Sequence, residues 1–295
     1  MRILITGANG FLGRALLPRL AARHEVVSLG RTASDGVSGH VTADLAKAGD
    51  LEGRIAAGAL PARVDAILHL AVSRLHRTFP DTALDMFQVN VAAPAALMDY
   101  AVRAGAAHVI LGSTGTVYHP FKDRPLAEDE TTRPKSYFGW SKLAAEELAA
   151  QYAPGHFSLF VPRFFVPYGP GQADRMTDGL VKRVREGAPV TLPPEGRGLV
   201  SAPIYLDDAV RVVEQALAER WTGTCNVAGP EQLTLADMAE TIGSVLGRAP
   251  AFERKKGASN AVILPDLSRL RELTDIDAFV PFREGIRRTI EAEQE

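Results

Sequence analysis

Cysteine is nearly absent: Cys225 stands alone in 295 residues, so no intrachain disulfide can form and a reducing compartment is the expected setting. No apolar run approaches the roughly 20 residues that a membrane-spanning helix needs. No secretory leader precedes Arg2-Ile3-Leu4-Ile5, which already reads as a strand, so a cytoplasmic chain with no membrane partner is expected. Neither sign of charge is in excess. The 33 Lys and Arg face 35 Asp and Glu for a net charge of −2, which argues against a nucleic-acid surface and leaves a small molecule as the expected partner. No metal site is expected either. What the chain does have is apolar residues, 46% of the total, in a length that supports one large α/β domain plus a smaller lobe.

The apolar residues fall in two periodicities. Short continuous runs at Ile3 to Ile5, Val26 to Leu29, Ala66 to Leu70, Val109 to Leu111 and Leu159 to Val161 read as buried parallel strands. Between them, Phe11 to Ala22, Thr82 to Ala104 and Gly139 to Tyr152 carry helical spacing. The alternation predicts an α/β fold with a doubly wound parallel sheet. Beyond Pro162 the pattern loosens into Pro- and Gly-rich loops, with helices expected at Asp174 to Glu186, Asp207 to Glu219 and Leu235 to Leu246. We therefore expect one doubly wound domain over residues 1–165 and a smaller lobe, read as substrate-binding, over 166–295, with segments around 203–228 returning to the sheet.

Between the first strand and first helix lies Thr6-Gly7-Ala8-Asn9-Gly10-Phe11-Leu12-Gly13. Gly7 permits a tight turn, Gly10 clears the approach of a pyrophosphate to backbone amides, and Gly13 lets helix and strand pack closely. The helix N-terminus then faces the anion. This GxxGxxG spacing resembles that of the extended short-chain dehydrogenase/reductase family, of NAD-dependent epimerase/dehydratase type. The resemblance implies a Rossmann fold holding NADP or NAD, with Asn9, Phe11 and Leu12 lining the turn beside the glycines. Gly30-Arg31-Thr32 stands where a NAD enzyme usually carries an acidic residue, and the Arg31 guanidinium suits a 2′-phosphate, so NADP is favoured; a solvated surface arginine is the plainer reading. Asp44-Leu45 matches the family's adenine-contacting pair, although Asp44 also suits a helix N-cap. By the same resemblance Leu70 and Ala71 lie against the cofactor ribose, and His69 is given no chemistry.

Leu111-Gly112-Ser113-Thr114-Gly115-Thr116-Val117-Tyr118 is similar to the family's catalytic Ser/Thr segment, which puts Thr114 where a hydroxyl bonds the reacting oxygen. Asn90 resembles an asparagine that holds active-site geometry; a buried structural asparagine reads almost as well. Ser136-Tyr137-Phe138-Gly139-Trp140-Ser141-Lys142 matches the family's Tyr-Gly-x-Ser-Lys, except that Phe138 occupies the tyrosine position. Residues four apart share a helix face, so a tyrosine there would stand over Lys142, whose ammonium lowers a phenol's pKa. Phenylalanine has no proton to give. Lys142 can still hold the nicotinamide ribose. Tyr137 is a poor substitute unless the chain before Gly139 is non-helical. Phe138 is read either as native, in a chain that has lost or relocated its acid/base, or as a tyrosine substituted to stall turnover, with substitution favoured.

Gly115-Thr116 replaces the Asp-Glu pair of the family's 4,6-dehydratases, which argues against dehydration. Val166 and Ser201 replace residues that contact a nucleotide-sugar diphosphate; Arg163 or Arg197 would have to compensate, unless each is structural. Phe164 is expected to flank the nicotinamide, and Ser73, Thr116, Tyr118 and Val166 to touch substrate. Asp207-Asp208 reads as an N-cap and first turn rather than as chemistry. The resulting expectation is an NAD(P)-dependent oxidoreductase or epimerase moving hydride at a secondary alcohol or ketone of a nucleotide sugar or other polar metabolite, impaired by Phe138. A non-catalytic NAD(P)-binding sensor or scaffold is the alternative, and chemistry shifted to Tyr118, Tyr137 or His119 a third. The resemblance also suggests a homodimer through helices such as Thr82 to Ala104 and Gly139 to Tyr152.

Overall fold

Runs of β-branched and leucine residues that are buried almost end to end build the central sheet of this computed structural model, which describes residues 1–75, 78–119, 121–173 and 175–293. In chain order the first elements are β1 (Arg2–Thr6), α1 (Phe11–Ala21), β2 (Glu25–Gly30), β3 (Gly39–Thr42), α2 (Asp50–Ala56), β4 (Ala66–His69), α3 (Ala83–Phe87), α4 (Ala93–Ala104), β5 (His108–Leu111), β6 (Ser113–Thr114), α5 (Tyr137–Tyr152) and β7 (Ser158–Phe164). There follow β8 (Pro167–Tyr168), α6 (Met176–Glu186), β9 (Val190–Leu192), β10 (Val200–Ser201), β11 (Ile204–Tyr205), α7 (Leu206–Glu219), β12 (Gly223–Val227), β13 (Leu233–Thr234), α8 (Leu235–Leu246), β14 (Phe252–Arg254), β15 (Val262–Ile263), α9 (Ser268–Leu273) and α10 (Phe282–Glu291).

The main sheet runs β12-β7-β5-β4-β1-β2-β3, with β6 pairing β7 off this path. Strand β1 pairs in parallel with β2 (Ile5 opposite Ser28) and with β4 (Ile5 opposite Leu68), and β5 pairs in parallel with β4 and β7. This is the doubly wound α/β sheet expected from the sequence. The order steps outward from β1 in both directions, and in such sheets ligands bind beyond the carboxyl ends of the strands near that reversal.

Two compact units make up the chain. One comprises Met1–His119, Thr131–Arg163 and Val210–Cys225; the other comprises Pro120–Glu130, Phe164–Ala209 and Asn226–Glu295. The sequence suggested a boundary near residue 165 with segments around 203–228 returning to the sheet; the first unit includes Val210–Cys225, and Pro120–Glu130, not foreseen, belongs to the second. The first is packed around Leu4, Val27, Ile67, Leu97, Met98, Val109 and Leu111. The second is packed around Tyr168, Leu180, Val184, Met238, Ile242, Phe282 and Ile286.

Helix α1 ends at Ala21 and α7 begins at Leu206, each one residue from expectation, and two larger differences have local reasons. The single helix expected over Thr82 to Ala104 is interrupted by a π-helical stretch, Gln88–Ala92, immediately before Pro94. Proline lacks an N–H and crowds the carbonyl four residues back, here that of Asn90, so the chain widens rather than continuing as α-helix. Helix α5 begins at Tyr137 rather than Gly139, because the Ser136 hydroxyl caps it by accepting from the Gly139 amide at 3.0 Å. The expected start of a helix at Asp174 lies outside the described residues, and α6 is observed from Met176.

Candidate active site

The turn after β1 is shaped by backbone crowding. Gly7 sits at φ +74°, and a Cβ there would lie 2.5 Å from the Ala71 nitrogen. A Cβ on Gly13 would lie 2.1 Å from the Gly7 carbonyl oxygen. Both positions therefore exclude any side chain, and the close approach joins the start of α1 to the backbone leaving β4. Gly10 is the N-cap of α1 with no side-chain cap. The first intrahelical bond runs from the Arg14 amide to the Gly10 carbonyl at 2.9 Å, so the Phe11, Leu12 and Gly13 amides precede it, in the place where a phosphate would be met. Asn9 ties this turn to the segment after β2: its amide nitrogen donates to the Thr32 carbonyl at 3.1 Å and its Oδ1 accepts from Ser34 at 2.8 Å. Arg31 in that segment is exposed. A bare glycine cradle with uncapped amides fits a dinucleotide.

Asp44 is not a helix N-cap. Helix α2 begins six residues later with Gly49 as its cap, and the Asp44 carboxylate instead accepts from the Ala46 amide at 3.1 Å in a local turn. Leu45 packs against the core of the first unit. His69 is buried, with Nδ1 2.8 Å from the Thr6 hydroxyl. Burial, and secondarily the charge of Lys142, push its pKa down to about 3, so the ring is neutral.

The segments expected to carry the chemistry meet at the start of α5. Phe138 and Lys142 are one turn apart on the same face, and Lys142 is 4% exposed. Loss of hydration lowers its pKa to about 8, against the opposing pull of Glu146. Tyr137, being helical, points elsewhere: its ring stacks on Phe79 at 5.1 Å and on Trp140 at 5.3 Å. It is not a stand-in for the missing phenol. Thr114 ends β6 and caps the short 3-10 turn Gly115–Val117, its hydroxyl accepting from the Thr116 amide at 3.2 Å. This turn touches α5 directly, since a Cβ on Gly139 would lie 2.6 Å from the Thr116 carbonyl. Asn90, in the π-helical stretch, braces the same helix. Its amide donates to Ser141 Oγ at 2.9 Å, Ser141 donates to the Phe138 carbonyl at 2.8 Å, and Asn90 Oδ1 accepts from the Ser73 amide at 3.0 Å. Ser73 is itself buried and donates to Asp85.

Sequence reasoning missed the charged group behind this face. Glu146 forms a buried ion pair with Arg163, whose Nη2 donates to Oε2 at 2.7 Å while its Nε reaches both carboxylate oxygens at 3.2 Å. Ser113 donates to Glu146 Oε1. Arg163 Nη1 donates to the Tyr118 hydroxyl at 2.7 Å, and Tyr118 is 1% exposed, which turns this expected substrate residue into the interior. The available signal was Glu146 itself, a carboxylate four residues after Lys142 on a helix whose neighbouring positions are mostly alanine and leucine.

In the second unit, Phe164 is buried and Val166 holds φ +43°, a left-handed conformation uncommon for a β-branched residue. Ser201 is buried and its hydroxyl has no hydrogen-bond partner among the described residues. Arg197 is committed to Asp237 and Glu240 at 2.8 and 2.6 Å. Helix α7 begins at Leu206, so Asp207 and Asp208 both lie in its first turn and Asp207 is not its N-cap; Asp208 accepts from the Val280 amide at 2.8 Å, a structural role.

Comparison with known proteins places this geometry. The sequence model of the NAD dependent epimerase/dehydratase family matches residues 3–228. UDP-glucuronic acid decarboxylase 1 of Arabidopsis thaliana is 24% identical over 98% of this chain and 69% of its own length. A 3-diazoavenalumate denitrifying reductase from a Streptomyces species is 30% identical over 85% of this chain and 83% of its own. Among solved structures, MoeE5 in complex with UDP-glucuronic acid and NAD shares 25% identity with a TM-score of 0.83, covering 100% of this chain and 99% of that one.

Proposed function

The chain belongs to the NAD dependent epimerase/dehydratase family, and from that premise we propose that it binds NADP or NAD and moves hydride at a secondary alcohol or ketone carbon, slowly in the form that carries Phe138. The glycine turn and the amides of Phe11 and Leu12 would hold the pyrophosphate, Lys142 the nicotinamide ribose, and the exposed Arg31 a 2′-phosphate, which favours NADP. When bound, the cofactor supplies the hydride chemistry. The Thr114 hydroxyl polarises the substrate oxygen. The proton that must leave or join that oxygen has no carrier at position 138.

Nucleotide sugars of the kind named in the relatives are one substrate class. Arg163 and Arg197 are both held by carboxylates, so neither compensates for Val166 and Ser201 at a diphosphate, and other polar metabolites fit the same reading. The observation that carries the proposal is Phe138 one helical turn before a buried Lys142.

The test is to restore the phenol. In Phe138→Tyr, turnover of UDP-sugars or secondary alcohols with NADP(H) or NAD(H) should rise about 10²–10⁴-fold, the usual contribution of a general acid/base. Equal rates in the two proteins, on any substrate that turns over, would reject it. A second reading, a non-catalytic cofactor-binding sensor, is favoured by the same phenylalanine and predicts tight cofactor binding with no gain in Phe138→Tyr.

A further inference from the structure

Five polar side chains behind the catalytic face, Ser113, Tyr118, Lys142, Glu146 and Arg163, are each under one-tenth exposed, at 6%, 1%, 4%, 6% and 6%. Their charges do not balance. Two cations lie near one carboxylate: Arg163 pairs with Glu146 directly, Lys142 sits one helical turn before it on α5, and His69, the titratable neighbour from β4, is neutral. Arg163 keeps its proton at any working pH and grips Glu146 with two nitrogens. Lys142 is the group of the pair that can discharge. A buried cation without a counter-charge neutralises rather than accept the cost of desolvation. The carboxylate also has a second hold: it accepts from Ser113, whose neighbour in β6 is Thr114.

We propose that Glu146 is the positioning residue of this site, its carboxylate anchoring the Ser113-Thr114 segment and serving as the counter-ion that keeps Lys142 an ammonium for the cofactor ribose. The inference rests on the cofactor role given to Lys142 above. The groups that set the Lys142 charge are then Glu146 on its own helix and His69 from β4, with Arg163 and Tyr118 standing behind Glu146.

The experiment has two readouts. NADPH and NADH binding is followed by fluorescence across alkaline pH, and the Lys142 side-chain NMR signal is titrated in the cofactor-free protein, assigned by its loss in Lys142→Met. In Glu146→Gln, which keeps the shape and an oxygen for Ser113, the Lys142 titration and the alkaline limb of binding should both move down by about one pH unit. In Glu146→Asp the charge is kept, and both should stay near the parent values, which preserves the test if Glu146→Gln does not fold. An unshifted Lys142 titration in Glu146→Gln, or equal shifts in the Gln and Asp variants, would overturn the proposal. Failure of the parent to bind either nucleotide would instead overturn the cofactor reading, leaving the NMR titration to judge Glu146 alone.

Discussion

In the first unit an arginine, a lysine and a glutamate are buried together, whereas the ion pairs of the second unit, such as Arg287 with Glu284 and Glu291 on α10, stand at its surface. The core of the second unit is aliphatic and aromatic, with Tyr168 tilted on Phe282 at 5.1 Å between ring centres. The described histidines, His24, His40, His69, His108, His119 and His156, also fall within the first unit. Burying charge adds little to stability, because desolvation offsets most of the Coulombic gain. What it does supply is a set of fixed, water-excluded groups whose protonation can be held away from ordinary values, and that is the property a reaction centre uses. The second unit differs, with an aliphatic and aromatic core and its ion pairs at the surface, although it buries the carboxylate of Asp208 against the Val280 amide.

That contrast can be broken most sharply at Arg163. Arg163→Met strands Glu146 inside the first unit and should destabilise the protein by about 3–5 kcal/mol in urea unfolding, with most of the loss recovered in the double variant Arg163→Met/Glu146→Leu. A single-variant loss no greater than that of a surface ion pair would mean that water reaches the pair.

The next effect is pH-dependent. The folded His69 has a pKa of about 3, below its unfolded value of 6.5, so its contribution is fully present above 6.5 and lost as pH falls toward 3. The unfolded chain takes up the proton first, and the slope approaches about 1.4 kcal/mol per pH unit once that form is fully protonated. Burial also lowers the pKa of His24 and His108, which add in the same direction. Hydrogen exchange at pH 7 and pH 5 should show protection falling in the first unit while the second, which has no histidine, holds. His69→Gln should flatten the urea midpoint's pH slope over that window; an unchanged slope would remove His69 from the account. The smallest effect is expected at the surface: Arg287→Ala, on an exposed side chain, should leave the thermal midpoint close to that of the parent.

Legibility in the sequence follows the same division. Strands β1, β2, β4, β5 and β7 and the glycine turn could be read because each obeys a local rule of period or spacing, whereas Lys142 was singled out only by the family resemblance. The strands of the second unit, β8 to β11 and β13 to β15, are only two or three residues long and carry no period to read. Tyr137 was left open because the start of α5 depends on the Ser136 cap. The Glu146–Arg163 pair was invisible for a different reason. Its partners are 17 residues apart in sequence, and only folding reveals that they meet in the interior. Tyr118 was misread by the same omission: a tyrosine close in sequence to Thr114 looks available to substrate until its hydroxyl is found turned toward a buried guanidinium.

Gly139 ties these points together. Its missing side chain lets the first turn of α5 rest on the Thr116 carbonyl and on Pro134. The hydroxyl-bearing loop and the lysine-bearing helix are thus held at one fixed spacing by an empty volume smaller than a methyl group. A single added carbon there would act as a wedge, changing the distance between two intact chemical groups while altering neither.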